Sequence, residues 1–361
     1  MLAAGAPAAE APVPEGERTL PEGTRLRWFG ADRSPALDYA WRHVAGWRHR
    51  EPAHHSNDER PALHAALRDE VARDRPDVIH AFGWGTAGLW RYADGVPVVH
   101  AAVDAWHRNA GNRLLPGWRR VADIGQRGLV RAHERRHYPH NAAVVVVADR
   151  DAEALRALAP AARVEVVPNG VDAGPEPAAL PDAPVLGFHG SFDARHNIDA
   201  AALLVREVLP RVQAAIPSAR VLLVGRNPGP AVRALTGDAV ELRADVPDAR
   251  AELADMTVYV APLVSGWGIK NKVLEAMAAG RAVVTTPAGS AGIGAGGGVV
   301  EAMDPAGVAA AVVALLRDRS ELLATAAAAR RRVTADFTWE RSAGRIERLW
   351  SDVAGLVGER R

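Results

Sequence analysis

The chain has 361 residues, enough for about two domains that each bury a core. Its 44 basic and 43 acidic side chains leave a net charge of +1, which gives no reason to expect nucleic acid or another polyanion as a partner. It has no cysteine, which excludes a disulfide scaffold, a thiolate zinc site, an iron–sulfur cluster and a cysteine nucleophile, and no run of 18 apolar residues is present to span a membrane.

The opening is rich in Ala and Pro and has no basic stretch of the kind that starts a signal peptide, so a cytoplasmic location is the default expectation. A strand is expected at 25–29, and His54-His55 reads as exposed loop without zinc spacing. Leu63, Leu67 and Val71 recur every four residues and predict a helix over 61–74, which Pro76 ends. Apolar runs at 78–82, 96–103 and 143–148 predict buried strands, and a helix at 149–159 leads to a short strand at 164–167. Asn169-Gly170 marks a turn, and Pro175, Pro177 and Pro181 make 173–182 a stiff linker.

The pattern restarts at Pro184. Strands are expected at 185–189, 220–224, 239–242, 257–261 and 282–286, and helices at 198–215, 230–235, 248–255, 268–279, 305–316 and 320–336. Pro210 should kink or split the first of these helices. A last amphipathic helix is expected over 339–357. Strands alternating with helices imply an α/β protein of two Rossmann-like βαβ domains facing a cleft. The expected domains are 1–172, short at its start, a linker at 173–182, a second domain at 183–338, and a helix at 339–361 packing back on the first domain. That last helix carries Arg341, Arg345 and Arg348, so peripheral contact with a membrane surface is the weaker alternative.

Only two of the 44 basic residues are lysines, and they stand two apart as Lys270 and Lys272. Arg is a wide planar fork, whereas Lys is a compact point charge, and a tight diphosphate pocket is one place where that difference matters. Around them, Gly266 and Gly268 let backbone approach a ligand, and the start of a helix expected near Ile269 offers free N–H groups and partial positive charge. Glu275, further along the helix, can reach sugar hydroxyls. No GxxxxGK[ST] occurs. Two further strand ends offer weaker anion sites, Gly190 with Arg195 and Gly225-Arg226.

Asp149-Arg150-Asp151 stands where a strand gives way to a helix and reads as helix capping rather than as a metal-nucleotide site. The glycines at 292–298 read as a flexible loop. In the first half, Asp104 at a strand end is the best candidate for chemistry, with His80 and His107 as further candidates on the same side.

The stretch 262–284, with Gly266, Gly268, Ile269, Lys270, Asn271, Lys272 and Glu275, resembles the donor-binding segment of family 4 glycosyltransferases, which have the GT-B fold. Val167-Pro168-Asn169-Gly170-Val171-Asp172, Gly190-Ser191-Phe192-Asp193 with His196-Asn197, Val224-Gly225-Arg226 and Val246-Pro247-Asp248 agree in order, nearest the bacterial exopolysaccharide-associated subgroup. The resemblance implies transfer of a sugar from a nucleotide-sugar co-substrate to an acceptor hydroxyl with retention, without metal or cofactor. It implies diphosphate binding by Gly266, Gly268, Ile269 and Lys272, with Arg195 and Arg226 as further phosphate contacts. It implies ribose binding by Glu275, a base contact near Val246, and acceptor binding by the first domain.

The chain departs from the family in three places. Trp267 stands where many members have an acid, Arg195 is the only strong base in its loop, and the opening acceptor loop is not recognisable. Asp104 and Lys272 are the residues expected to carry catalysis. The acceptor could be a glycan, a lipid-linked sugar or a small molecule. A nucleotide-sugar epimerase of the same fold and a non-catalytic partner protein are the alternatives.

Overall fold

A computed structural model describes residues 2–4, 16–19, 25–29, 61–109, 118–265 and 268–358. His54-His55 and the pair Gly266-Trp267 lie outside the described residues. The chain divides into two units, one made of Met1–Val166 and Glu347–Arg361 and the other of Val167–Ile346.

The first unit contains a parallel sheet of four strands in the order β4-β5-β6-β7: β4 is Ile79–Phe82, β5 Val98–Val103, β6 Ala143–Val146 and β7 Val164–Val166. All four residues of β6 are buried, as expected of a parallel strand covered on both faces. A smaller sheet pairs β1 (Leu2–Ala4) and β2 (Gly16–Thr19) on either side of β3 (Arg25–Phe29). Helix α1 spans Pro61–Arg73, and its Leu67 and Val71 join a core cluster with Ala81, Val96 and Val98. Trp106–Asn109 makes one helical turn, α2. Helix α3, Trp118–His137, runs 20 residues where the sequence gives only a sparse apolar stripe, because Arg and His occupy eight of its positions. Helix α4, Asp149–Leu158, buries Ala152 and Leu155.

The second unit holds six parallel strands in the order β10-β9-β8-β11-β12-β13. These are β8 (Val185–Ser191), β9 (Arg220–Arg226), β10 (Val240–Ala244), β11 (Val258–Ala261), β12 (Ala282–Thr285) and β13 (Val299–Glu301). From β8 the chain winds outward through β9 and β10, then returns to the other side of β8 with β11. The order therefore reverses between β8 and β11, and ligands of open α/β sheets bind at the strand C-termini beside such a reversal.

The helix expected at 198–215 starts at Arg195 and runs on without interruption as α5 (Arg195–Leu203), a π-turn at Leu204–Val208 and α6 (Leu209–Gln213). Pro210 lacks an N–H and crowds the preceding turn, and the widened turn ahead of it accommodates both. A short α7 (Pro230–Arg233) follows β9, and the helix expected at 248–255 is a 3-10 turn at Ala251–Asp255. Helix α8 is Asn271–Ala278, two to three residues later than the sequence suggests. Asp304 caps α9 (Pro305–Arg317) by accepting from the Gly307 N–H, and Asp318 caps α10 (Arg319–Asp336) through the Glu321 N–H.

Helix α11, Trp339–Gly358, is rooted in the second unit, where the Ser342 hydroxyl donates to the Pro168 carbonyl at 2.7 Å. Its residues from Glu347 onward belong with the first unit. There the Trp350 indole donates to His80 Nδ1 at 2.9 Å, and Asp352 pairs with Arg163 at 2.7 Å.

Three arginines tie the proline-rich segment 173–182 to the second unit. Arg281 donates to the Ala178 carbonyl at 3.1 Å, Arg319 to Leu180 at 2.8 Å and Arg330 to Gly174 at 3.0 Å. The glycines at 292–298 are also held rather than loose. The Arg332 guanidinium bonds the carbonyls of Ile293, Gly294 and Gly296.

Candidate functional site

Helix α8 buries Val273, Leu274, Ala276 and Met277 against the sheet. Lys272 and Glu275 are three residues apart and share a flank of the helix. Successive residues of a strand face opposite sides. Phe188 and Gly190 of β8 accordingly lie by Lys272, while His189 between them lies by Glu275. The two charged side chains of α8 straddle the end of β8, beside the reversal in strand order.

The Lys272 ammonium bonds Asn197 Oδ1 and sits 5.0 Å from the centre of the Phe188 ring. A methyl group added at Gly190 would stand 2.8 Å from Lys272 Nζ and 3.0 Å from Asn197 Nδ2, so glycine makes room for both. Asn197 is buried and also donates to the Ser191 carbonyl at 2.7 Å. Burial, with help from Lys270, brings the Lys272 pKa down to about 8. Lys270 is buried as well, and its ammonium donates to the Gly268 carbonyl at 3.1 Å. Gly268 has φ +64°, a left-handed conformation that suits glycine and turns the loop into the helix.

Glu275 Oε2 lies 2.7 Å from His189 Nε2. That hydrogen bond is the main cause of a carboxyl pKa below the usual range, and the charges of Arg250 and Lys272 add to it. At the start of α8, Lys270 occupies the cap position and, among the described residues, no side chain caps the helix. Its first-turn N–H groups and partial positive charge are therefore presented beside Lys272. Asn271 accepts from Asn169 Nδ2 at 2.9 Å.

The expected phosphate contacts on the flanking loops stand differently. Arg195 is exposed and paired with Asp199 at 2.9 Å. Arg226 ends β9 with its side chain exposed, and its carbonyl accepts from the Phe192 N–H at 2.8 Å. Val246 is partly buried just beyond β10 and Ile269 is buried. Gly266 lies outside the described residues, as does Trp267.

In the first unit, Asp104 follows β5 directly. Val103 before it has φ +72°, a strained conformation for a β-branched residue, and the Asp104 N–H donates to Ala102 O at 2.9 Å. The Asp-Arg-Asp pattern does not cap α4 as expected, because Ala148 holds the cap position without a side-chain bond; Asp151 instead secures the turn after Asp104 by accepting from the Ala105 N–H at 3.1 Å. His107 Nδ1 pairs with Glu134 at 2.6 Å, and His80 accepts from Trp350. Burial, then the charges of Glu134 and Asp104, push the Tyr138 phenol well above its ordinary pKa. Asp104 belongs to the first unit and Lys272 to the second.

The sequence singles out Lys272 and Glu275 but not Asn197's hold on Lys272 or His189's hold on Glu275. A lone His inside an apolar strand was the only available signal for His189. Among the described residues no group of three or more His, Asp or Glu is placed to hold a metal ion, and no helix is long and apolar enough to cross a membrane.

Residues 20–174 match the family described as Glycosyltransferase Family 4, and residues 183–318 match Glycosyl transferases group 1. The phosphatidyl-myo-inositol mannosyltransferase of Mycolicibacterium smegmatis is 31% identical over 208 residues, 52% of each chain, so this chain spans about half the length of that relative. The lipopolysaccharide core biosynthesis mannosyltransferase LpcC of Rhizobium leguminosarum bv. viciae is 27% identical, over 74% of this chain and 82% of its own length.

Among solved structures, sucrose-phosphate synthase of Thermosynechococcus elongatus has a TM-score of 0.67 at 18% identity, covering 94% of this chain and 86% of its own. HepE of Anabaena, solved with UDP, has a TM-score of 0.62 at 14% identity, covering 84% and 85%. Both units thus share the Rossmann-like α/β architecture of GT-B proteins, and the chain joins a Glycosyltransferase Family 4 match in its first part to a Glycosyl transferases group 1 match in its second.

Proposed function

We propose that this protein transfers a sugar from a nucleotide-sugar donor, held by the second unit, to an acceptor hydroxyl presented by the first, with retention of anomeric configuration. The observation that carries the reading is the grouping of Lys272, Glu275 and the uncapped start of α8 beside the reversal in strand order. Lys272 and the first-turn N–H groups of α8 meet the diphosphate, with Arg226 closing on it from β9. Glu275, held ionised, accepts from the ribose hydroxyls. Gly268, Ile269, Lys270 and Asn271 shape the phosphate loop, Gly190 gives Lys272 its space, Arg195 lends charge at the rim, and Val246 packs near the base.

When the C1–oxygen bond to the diphosphate breaks, negative charge grows on the leaving phosphate and positive charge on the sugar. Lys272 and the helix start stabilise the first without needing a metal or cofactor, and the acceptor oxygen bonds C1 as its proton passes to the leaving phosphate. Asp104, at the strained end of β5, steadies the cationic sugar, and His80 and His107 flank the acceptor.

Two relatives are named as mannosyltransferases, so mannose is the sugar we assign first, with an acceptor in bacterial surface glycan synthesis, exopolysaccharide included. Incubation with GDP-mannose, UDP-glucose and UDP-N-acetylglucosamine should release nucleotide from at least one. Lys272→Ala with Glu275→Ala should abolish that release. Release undiminished in the double variant overturns the reading, and conversion of the donor to its epimer without release would favour an epimerase.

A further inference from the structure

We infer that His189 is a positioning residue that fixes one oxygen of Glu275 so that the other is presented to the donor's ribose, making the site selective for ribonucleotides over their 2′-deoxy counterparts. The inference rests on the donor-site reading of Glu275 above. His189 is 4% exposed and lies in β8, the strand beside the order reversal, where it pairs with Val224 of β9 and its N–H donates to the Tyr259 hydroxyl of β11 at 3.5 Å. Its Nε2 stands 2.7 Å from Glu275 Oε2. The Tyr259 ring packs edge-on against the imidazole with ring centres 5.4 Å apart, which holds the ring plane.

Nδ1 is buried and has no hydrogen-bond partner among the described residues, so the geometry puts the proton on Nε2 and directs the ring's one strong bond at Glu275. A glutamate on a helix surface has three rotatable bonds, and an oxygen tethered to a rigid strand removes most of that freedom before ligand arrives. With Oε2 committed to His189, Oε1 is the oxygen left to accept from a hydroxyl. A site built to bond a hydroxyl discriminates strongly against the analogue lacking it.

The test is titration calorimetry with GDP, UDP and ADP, followed by the 2′-deoxy form of whichever binds, on the full chain. Glu275→Gln should remove most of the preference for the ribonucleotide. His189→Phe should weaken ribonucleotide binding about tenfold and deoxynucleotide binding little. His189→Gln, which keeps an N–H donor, should recover much of the loss, and His189→Phe should add nothing in the Glu275→Gln background. In turnover the donor KM should rise in His189→Phe with kcat at saturation unchanged.

If Glu275→Gln weakens ribonucleotide binding but His189→Phe does not, or weakens both forms equally, the positioning role is overturned while the donor site stands. If Glu275→Gln leaves binding and preference intact, or no nucleotide binds, the donor-site reading itself fails.

Discussion

Lys272 hands its ammonium to the side-chain oxygen of Asn197, a residue 75 positions earlier at the start of the helix that follows β8. Asn197 in turn is held by the Ser191 carbonyl. The lysine is thus aimed by the βα turn of one strand while its backbone belongs to another, and it is poised where charge is costly to bury.

That cost sets a pH dependence with two signs. With a pKa of about 8 in the free protein, Lys272 loses its proton as pH rises through 8, and affinity for a nucleoside diphosphate should fall over that range. Folding stability should move the other way. Between about 8 and the ordinary lysine value of 10.5 only the unfolded chain holds the proton, so stability should rise with pH. Titration calorimetry from pH 6.5 to 9.5 checks the first, and Lys272→Met should flatten the profile and weaken binding roughly 10- to 100-fold.

Two glycines of the same region should separate binding from stability. A methyl group at Gly190 meets the flexible end of Lys272, so Gly190→Ala should displace the ammonium and weaken nucleotide binding with a small change in Tm. A methyl group at Gly225 would lie 1.9 Å from the Gly190 carbonyl oxygen and 2.7 Å from the Phe192 ring, neither of which can yield cheaply. Gly225→Ala should therefore destabilise the second unit by about 1–3 kcal/mol or more. Thermal melts read beside binding curves distinguish the two effects.

His100 gives the first unit an acid sensitivity. The ring is fully buried, and burial together with the charges of His133, His80 and His137 lowers its pKa from 6.5 to about 3. Below 6.5 the unfolded chain takes up a proton that the folded chain refuses until near 3, so stability should fall as pH drops through that interval. Its Nδ1 is 3.4 Å from the Thr86 hydroxyl. Melting curves between pH 7 and 4 should show a shallower loss in His100→Gln than in the unaltered protein.

Arg332 should prove to be the clasp of the glycine loop. It bonds the carbonyls of Gly294 at 3.1 Å and Gly296 at 2.6 Å, and Gly298 sits where a methyl group would strike Ala329 at 2.3 Å. Arg332→Ala should speed amide hydrogen exchange across 292–298 with little effect elsewhere, whereas Gly298→Ala should lower Tm. Exchange mass spectrometry on both variants is the measurement.

Local pattern was enough for much of the architecture. The valines of 143–146 lie in a fully buried strand, and the helix that carries Pro210 widens into a π-turn just ahead of it. Helix α3 was not legible, because its 20 residues are mostly Arg, His and other polar groups that leave the apolar stripe sparse. The looseness expected of 292–298 was misjudged for one reason. Composition reports what a segment's own backbone prefers, and this segment is held by Arg332, more than 30 residues away in sequence.

The candidate site divides along the same line. The sequence by itself determined that a glycine-flanked loop with the only two lysines opens a helix carrying Glu275, since loop, helix start and charge are all encoded within some ten neighbouring residues. Tertiary structure alone decided that Asn197 aims Lys272 and that His189 grips Glu275, partners 75 and 86 positions away. Strand order chooses such partners. Only when β8 is laid next to β11 do the residues at its end come within hydrogen-bonding reach of α8, and hydrogen bonds act over about 3 Å whatever the distance along the chain.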